Sequence, residues 1–210
     1  MVTIDISRTE ELIGHLAEIV DLPPYDNSDR LLLSRTLAIT SLHFAASARA
    51  LCNDGLALGA ATVLRSQFEA LVRSVWVFYC ATDKQVENLS SALSVASQQA
   101  NKNIPMASEM LAGLEKKTQL SMLLISLKEF KDSSWQPLNS FVHSGTHAIH
   151  WTKFEPPPKL LEQIFRSSNG LTIIAFQSLA ILTGHPTLQK DVITACATFS
   201  SCLPDARGST

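Results

Sequence analysis

Three ionisable side chains, Arg65, Glu69 and Arg73, recur every fourth residue in the most apolar helical stretch of this sequence, 56–81. At about 100° per residue they share one stripe about 80° wide. Around them lie Val63, Leu64, Phe68, Leu71, Val72, Val75, Trp76, Val77 and Phe78. A helix that is hydrophobic on nearly every side is expected to be buried, and a charge on it then needs a partner. The stripe therefore predicts a buried polar network. Two arrangements satisfy it. Either Glu69 bridges two arginines, one turn away on each side, or one guanidinium faces a pocket and binds an anion through its planar fork of donors.

A second set, His143, His147 and His150, falls within about 60° of one helical face, with Asn139 one turn earlier. Histidines at i and i+4 form a workable metal-ligand pair, as on HExxH helices. Here the Glu of that motif is missing, Gly145 loosens the helix between the ligands, and no nearby Cys, Asp or Glu completes a site. The favoured expectation is structural: His143 hydrogen-bonded inside, His147 and His150 partly exposed, no metal and no cofactor. A His143/His147/His150 metal site is the alternative. Ser144 and Thr146 lie beside histidines, but adjacent residues on a helix diverge by about 100°, which is poor geometry for a nucleophile and its base. No GxSxG elbow, phosphate loop or GxGxxG appears.

The elements that must position these residues all follow helical spacing. Ser7 and Glu10 suggest a capping box for a first helix, which Pro23-Pro24 ends. The polar cluster Asp26 to Asp29 caps a long helix, and Asn53-Asp54-Gly55 turns it back, antiparallel, into the 56–81 helix. Further helices are expected over 83–100, 108–115 and 118–130, followed by a loop at 131–134. Pro137 suits the first turn of a helix running through His150. After the extended segment 154–158, a helix spans 160–183, with Asn169-Gly170 as a kink or break, and a last one covers about 187–202. The expectation is an all-α bundle of about seven to nine helices in a single domain, 1–210. Within it, 1–24 forms an N-terminal helix, 25–151 the core bundle, 152–203 the C-terminal helices and 204–210 a tail.

Composition narrows the function classes. Hydrophobic residues make up 46% of the 210, ample for one core, while charged residues are only 17%. So little solvating surface suggests a face buried in a homodimer or against a protein partner. A net charge of -2 removes the overall basic field that drives non-specific nucleic-acid binding. Cys52, Cys80, Cys196 and Cys202 form no CxxC pair and are expected as buried, reduced thiols. The N-terminus has no basic region followed by an apolar run, and the apolar stretch 171–182 falls short of the roughly 18 residues of a membrane span. A cytoplasmic protein without membrane contact is expected.

Two stretches carry a resemblance. Val63-Leu64-Arg65-Ser66-Gln67-Phe68-Glu69-Ala70 and, some way on, Leu138-Asn139-Ser140-Phe141-Val142-His143-Ser144-Gly145 resemble a family of uncharacterised bacterial all-helical proteins. That family carries Arg-x-x-x-Glu on an early helix and a late "vHsG". More distantly, the late segment is similar to the HEPN superfamily of helical bundles, which often dimerise and include RNA-cleaving proteins of toxin–antitoxin and phage-defence systems. That similarity implies Asn139 and His143 as motif residues, but Leu138 stands where the HEPN motif has its arginine. Without that donor the main electrostatic stabiliser of a metal-independent RNase is gone, unless Arg65 or Arg73 replaces it. Two readings follow. One is a non-catalytic interaction module with an Arg65/Glu69/Arg73/Asn139/His143 cluster. The other is a HEPN-like RNase acting on RNA with His143, Arg65 and Glu69 as catalytic residues.

Overall fold

The computed structural model describes residues 4–100 and 103–205. Among these every regular element is helical. The order is α1 (Ile6–Ile19), α2 (Asp29–Asn53), α3 (Ala57–Tyr79), α4 (Asp83–Ser90), α5 (Val95–Ala100), α6 (Ala107–Leu114), α7 (Ser121–Val142), α8 (Thr146–Lys153), α9 (Pro158–Leu182) and α10 (Leu188–Cys196). Short 3-10 turns lie at Thr118–Leu120 and Ala197–Cys202. The all-α expectation holds.

α2 and α3 form the central antiparallel hairpin. Gly55 closes it at φ 73°, a left-handed conformation that a Cβ would penalise. The two helices approach closely because small residues face the seam: Ala38, Ala45, Ala48 and Ala60 are all fully buried. Serines rivet the seam. Ser34 Oγ donates to Ser74 O at 2.9 Å, Ser74 Oγ returns a bond to Ser34 O at 2.7 Å, and Ser41 Oγ reaches Gln67 O at 3.0 Å. Among the described residues α2 alone is long and apolar enough to cross a membrane, and here it packs against α3 and α9.

α9 covers the hairpin through a buried amide. Gln67 Nε2 donates to Ser168 O at 2.9 Å, and Ser168 Oγ donates to Gln67 Oε1 at 2.7 Å. α9 runs through Asn169-Gly170 without a break. Asn169 Nδ2 ties α9 to Thr9 Oγ1 and Cys202 O, at 3.0 and 2.8 Å. Gly170 admits Pro204, whose Cγ would lie 2.9 Å from an added Cβ.

Local boundaries differ from the sequence expectation in four places. Asp5, accepting from Arg8 N at 2.9 Å, caps α1 in place of Ser7. The 83–100 helix is two pieces, because Ser94 and Ser97 exchange side-chain-to-backbone bonds that start α5 afresh. The loop at 131–134 is absent: α7 continues through it and through Pro137. Phe130 and Trp135 hold that stretch helical by packing on Phe68, with ring centroids at 4.7 and 5.8 Å. Finally, the helix led by Pro137 ends at Val142 instead of His150.

All four cysteines are free thiols. Burial pushes the Cys52 and Cys196 thiols up to about 11. A thiol raised above its unfolded value near 9.0 favours folding below that pH and loses the contribution as pH climbs toward 11.

Candidate functional site

Arg65, Glu69 and Arg73 of α3 line a cleft of about 760 Å³ together with Trp135 and Asn139 of α7 and His143, the residue that caps its C-terminus. On each side three residues recur at four-residue spacing, the third of the second set being the cap just past α7, so two matching stripes line the cleft. Leu89 of α4 and the segment 104–108 leading into α6 complete the lining.

The expected buried network is instead half open. Arg65 is 13% exposed and Glu69 35%. The physical reason is that α6 and its lead-in segment border the stripe without sealing it. Glu69 also serves one arginine rather than two. Its Oε1 accepts from Arg65 Nε at 2.9 Å, whereas Arg73 has no ion pair among the described residues. Arg65 Nη1 and Arg73 Nε are enclosed without a hydrogen-bond partner among those residues. The Arg65 guanidinium lies 4.9 Å over the Trp135 ring, a cation–π contact that fixes its plane. Two cations against one carboxylate leave the α3 wall with surplus positive charge.

The histidines are not on one face. α7 stops at Val142, Ser144 takes φ 53°, and α8 starts again at Thr146. Ser140 straps this turn: its carbonyl accepts from Gly145 N at 2.6 Å, and its Oγ accepts from His147 N at 2.9 Å. A Cβ on Gly145 would meet Ser140 Oγ at 2.7 Å, so the turn needs glycine there. The Val142-His143-Ser144-Gly145 stretch is thus a helix-ending turn that sets His143 at the cleft. His143 is exposed, not hydrogen-bonded inside. His147 is the half-buried one, packed edge-on to Phe141 and Trp151, while His150 is exposed against Phe154. The break separates the three rings, and no group of three His, Cys, Asp or Glu residues among those described is placed to hold a metal ion.

Trp135 escaped the sequence reading because it adjoined a supposed loop. Its spacing of four and eight residues from Asn139 and His143 was the available signal. Gln67 was missed as well, since nothing in its apolar neighbourhood distinguishes a buried bridging amide from an exposed one.

A model of a family of unknown function (DUF6988) matches residues 38–205, which take in α3 and α7 whole. No curated protein and no solved structure matches the chain.

Proposed function

The chain belongs to this family of unknown function, DUF6988, and from its cleft we propose a non-catalytic recognition module that binds a phosphate-bearing ligand between α3 and α7. One observation carries the reading: Arg65 and Arg73 line one open cleft, with only Glu69 to neutralise them. Guanidinium groups match phosphate oxygens two at a time. The cleft, at about 760 Å³, far exceeds a lone inorganic ion, and its wall at Leu89, Ile104 and Met106 suits an apolar body attached to the anion. Recognition is favoured over chemistry because Glu69, the carboxylate in the cleft lining, is engaged by Arg65, and no hydrogen bond among the described residues pairs it with His143.

Calorimetric titration with pyrophosphate tests this. Wild type should bind saturably, more weakly as salt rises, and Arg73→Met should weaken binding about 10- to 100-fold, the worth of a charge-assisted bond. Equal affinities for wild type and variant would refute the assignment.

A second reading keeps His143 as general acid or base of a HEPN-like, metal-independent RNase of a toxin–antitoxin or phage-defence system. Its support is the exposure of His143 beside both arginines. Leu138 in place of the motif arginine speaks against it. Cleavage of single-stranded RNA in chelator, abolished by His143→Ala, would favour this reading over simple binding.

The same proposal makes the protein a cytoplasmic, bacterial homodimer joined through α2. Past Asp29 in its first turn, the outer face of α2, Leu32, Thr36, Thr40, His43, Ala46, Ser47 and Ala50, carries no Asp, Glu, Lys or Arg. Its hydroxyls turn back to their own helix: Thr36 to Leu32 O, Thr40 to Thr36 O and Ser47 to His43 O. These hydroxyls are thereby satisfied within the helix, and a two-fold antiparallel pairing of this face over 32–50 meets no like charges. Sedimentation equilibrium should show a dimer that His43→Glu converts to monomer; a monomeric wild type rejects the interface.

A further inference from the structure

The side of α7 turned away from the cleft borders a second cavity, of about 320 Å³, walled by α3, α7, α8 and α9. At about 100° per residue, Ser134, Pro137, Leu138 and Phe141 lie roughly 150° around α7 from the Trp135/Asn139/His143 stripe. The floor is apolar and buried, formed by Ala61, Leu64, Leu138 and Ile164. Ser133, Ser134, Gln163 and Ser167 supply hydroxyls and an amide at the rim.

One wall is aromatic. Phe141 and Trp151 stack with centroids 4.7 Å apart and planes 29° from parallel. His147 stands edge-on to both, at 5.9 Å and 63° to Phe141 and at 6.2 Å and 85° to Trp151. Its Nδ1 is enclosed without a hydrogen-bond partner among the described residues. Among the described residues no Asp, Glu, Lys or Arg lines the cavity. An ion entering it would lose its hydration without a countercharge, so the wall selects against charged ligands. The size, the apolar floor and the few convergent polar groups are those of a small-molecule site.

We propose that this cavity binds a neutral aromatic small molecule carrying a single polar group. The rings of Phe141, His147 and Trp151 receive its flat body, and Ser134, Ser167 and Gln163 meet its polar end. The assignment is independent of the anion cleft on the other side of α7.

The test is a fluorescence titration with N-phenyl-1-naphthylamine, an uncharged diaryl amine that brightens in apolar surroundings. Wild type should bind one equivalent saturably, with the Trp151 indole N–H resonance shifting as the site fills. Ser134→Phe and Ser167→Phe each place a ring in the cavity from a half-buried position, and each should lower affinity at least tenfold. Arg73→Met and excess pyrophosphate should leave the affinity unchanged. Circular dichroism identifies a variant that fails to fold, in which case the other variant and the Trp151 resonance decide. Non-saturating binding, a stationary Trp151 resonance, or full affinity in a folded Ser→Phe variant overturns the proposal.

Discussion

Phe68→Ala is expected to remove about 3–5 kcal/mol of stability and to weaken anion binding at the same time. Phe68 is fully buried, stacked on Phe130 at 4.7 Å and 29°, with the edge of Trp135 at 5.8 Å. Trp135 in turn carries the Arg65 guanidinium on its face at 4.9 Å. Deleting the ring costs its transfer free energy and leaves a void beneath the cleft, so Trp135 and Arg65 lose their common support. Against a typical total of about 5–15 kcal/mol the loss is large. Guanidinium unfolding followed by circular dichroism measures it, and pyrophosphate titration of the folded fraction measures the second effect. A loss below about 1 kcal/mol would contradict the burial of this ring.

Gln67→Ala should cost about 3 kcal/mol yet leave the cleft's affinity intact. The Gln67 amide is fully buried on the other side of α3, where it bonds Ser168 O, Ser168 Oγ and, at 3.4 Å, Thr172 Oγ1. Truncation opens a cavity and also strips the Ser168 hydroxyl of its acceptor in the interior. Gln67→Met, similar in volume, should recover the packing part and leave only the penalty of the lost hydrogen bonds. Comparable losses of pyrophosphate affinity in Gln67→Ala and Phe68→Ala would show that the two faces of α3 do not act separately.

How far these features could be foreseen depends on what decides each one. The α2–α3 hairpin was readable because Asp54-Gly55 is local turn chemistry, and Gly55 does take the left-handed conformation. Helical periodicity likewise put Arg65, Glu69 and Arg73 on one stripe, and Asn139 with His143 on another. Whether those stripes meet, and whether a third element seals them, depends on contacts between distant segments. Composition on one helix does not encode that, so the network expected to be buried is an open cleft. Continuity was misjudged for a related reason. Ser133-Ser134 and Pro137 have weak helical preference, but packing on Phe68 overrides it, whereas Ser144-Gly145 ends a helix whose histidine spacing looked unbroken.

The account stands or falls on the two guanidinium groups that line the cleft. The most direct measurement is a side-chain ¹H–¹⁵N NMR titration following the Nε resonances of Arg65 and Arg73 as pyrophosphate is added. Saturable shifts of both, with the signals of Arg8 and Arg166, which do not line the cleft, unmoved, are the result expected. Stationary Arg65 and Arg73 resonances at saturating pyrophosphate would contradict the assignment of this cleft as an anion site.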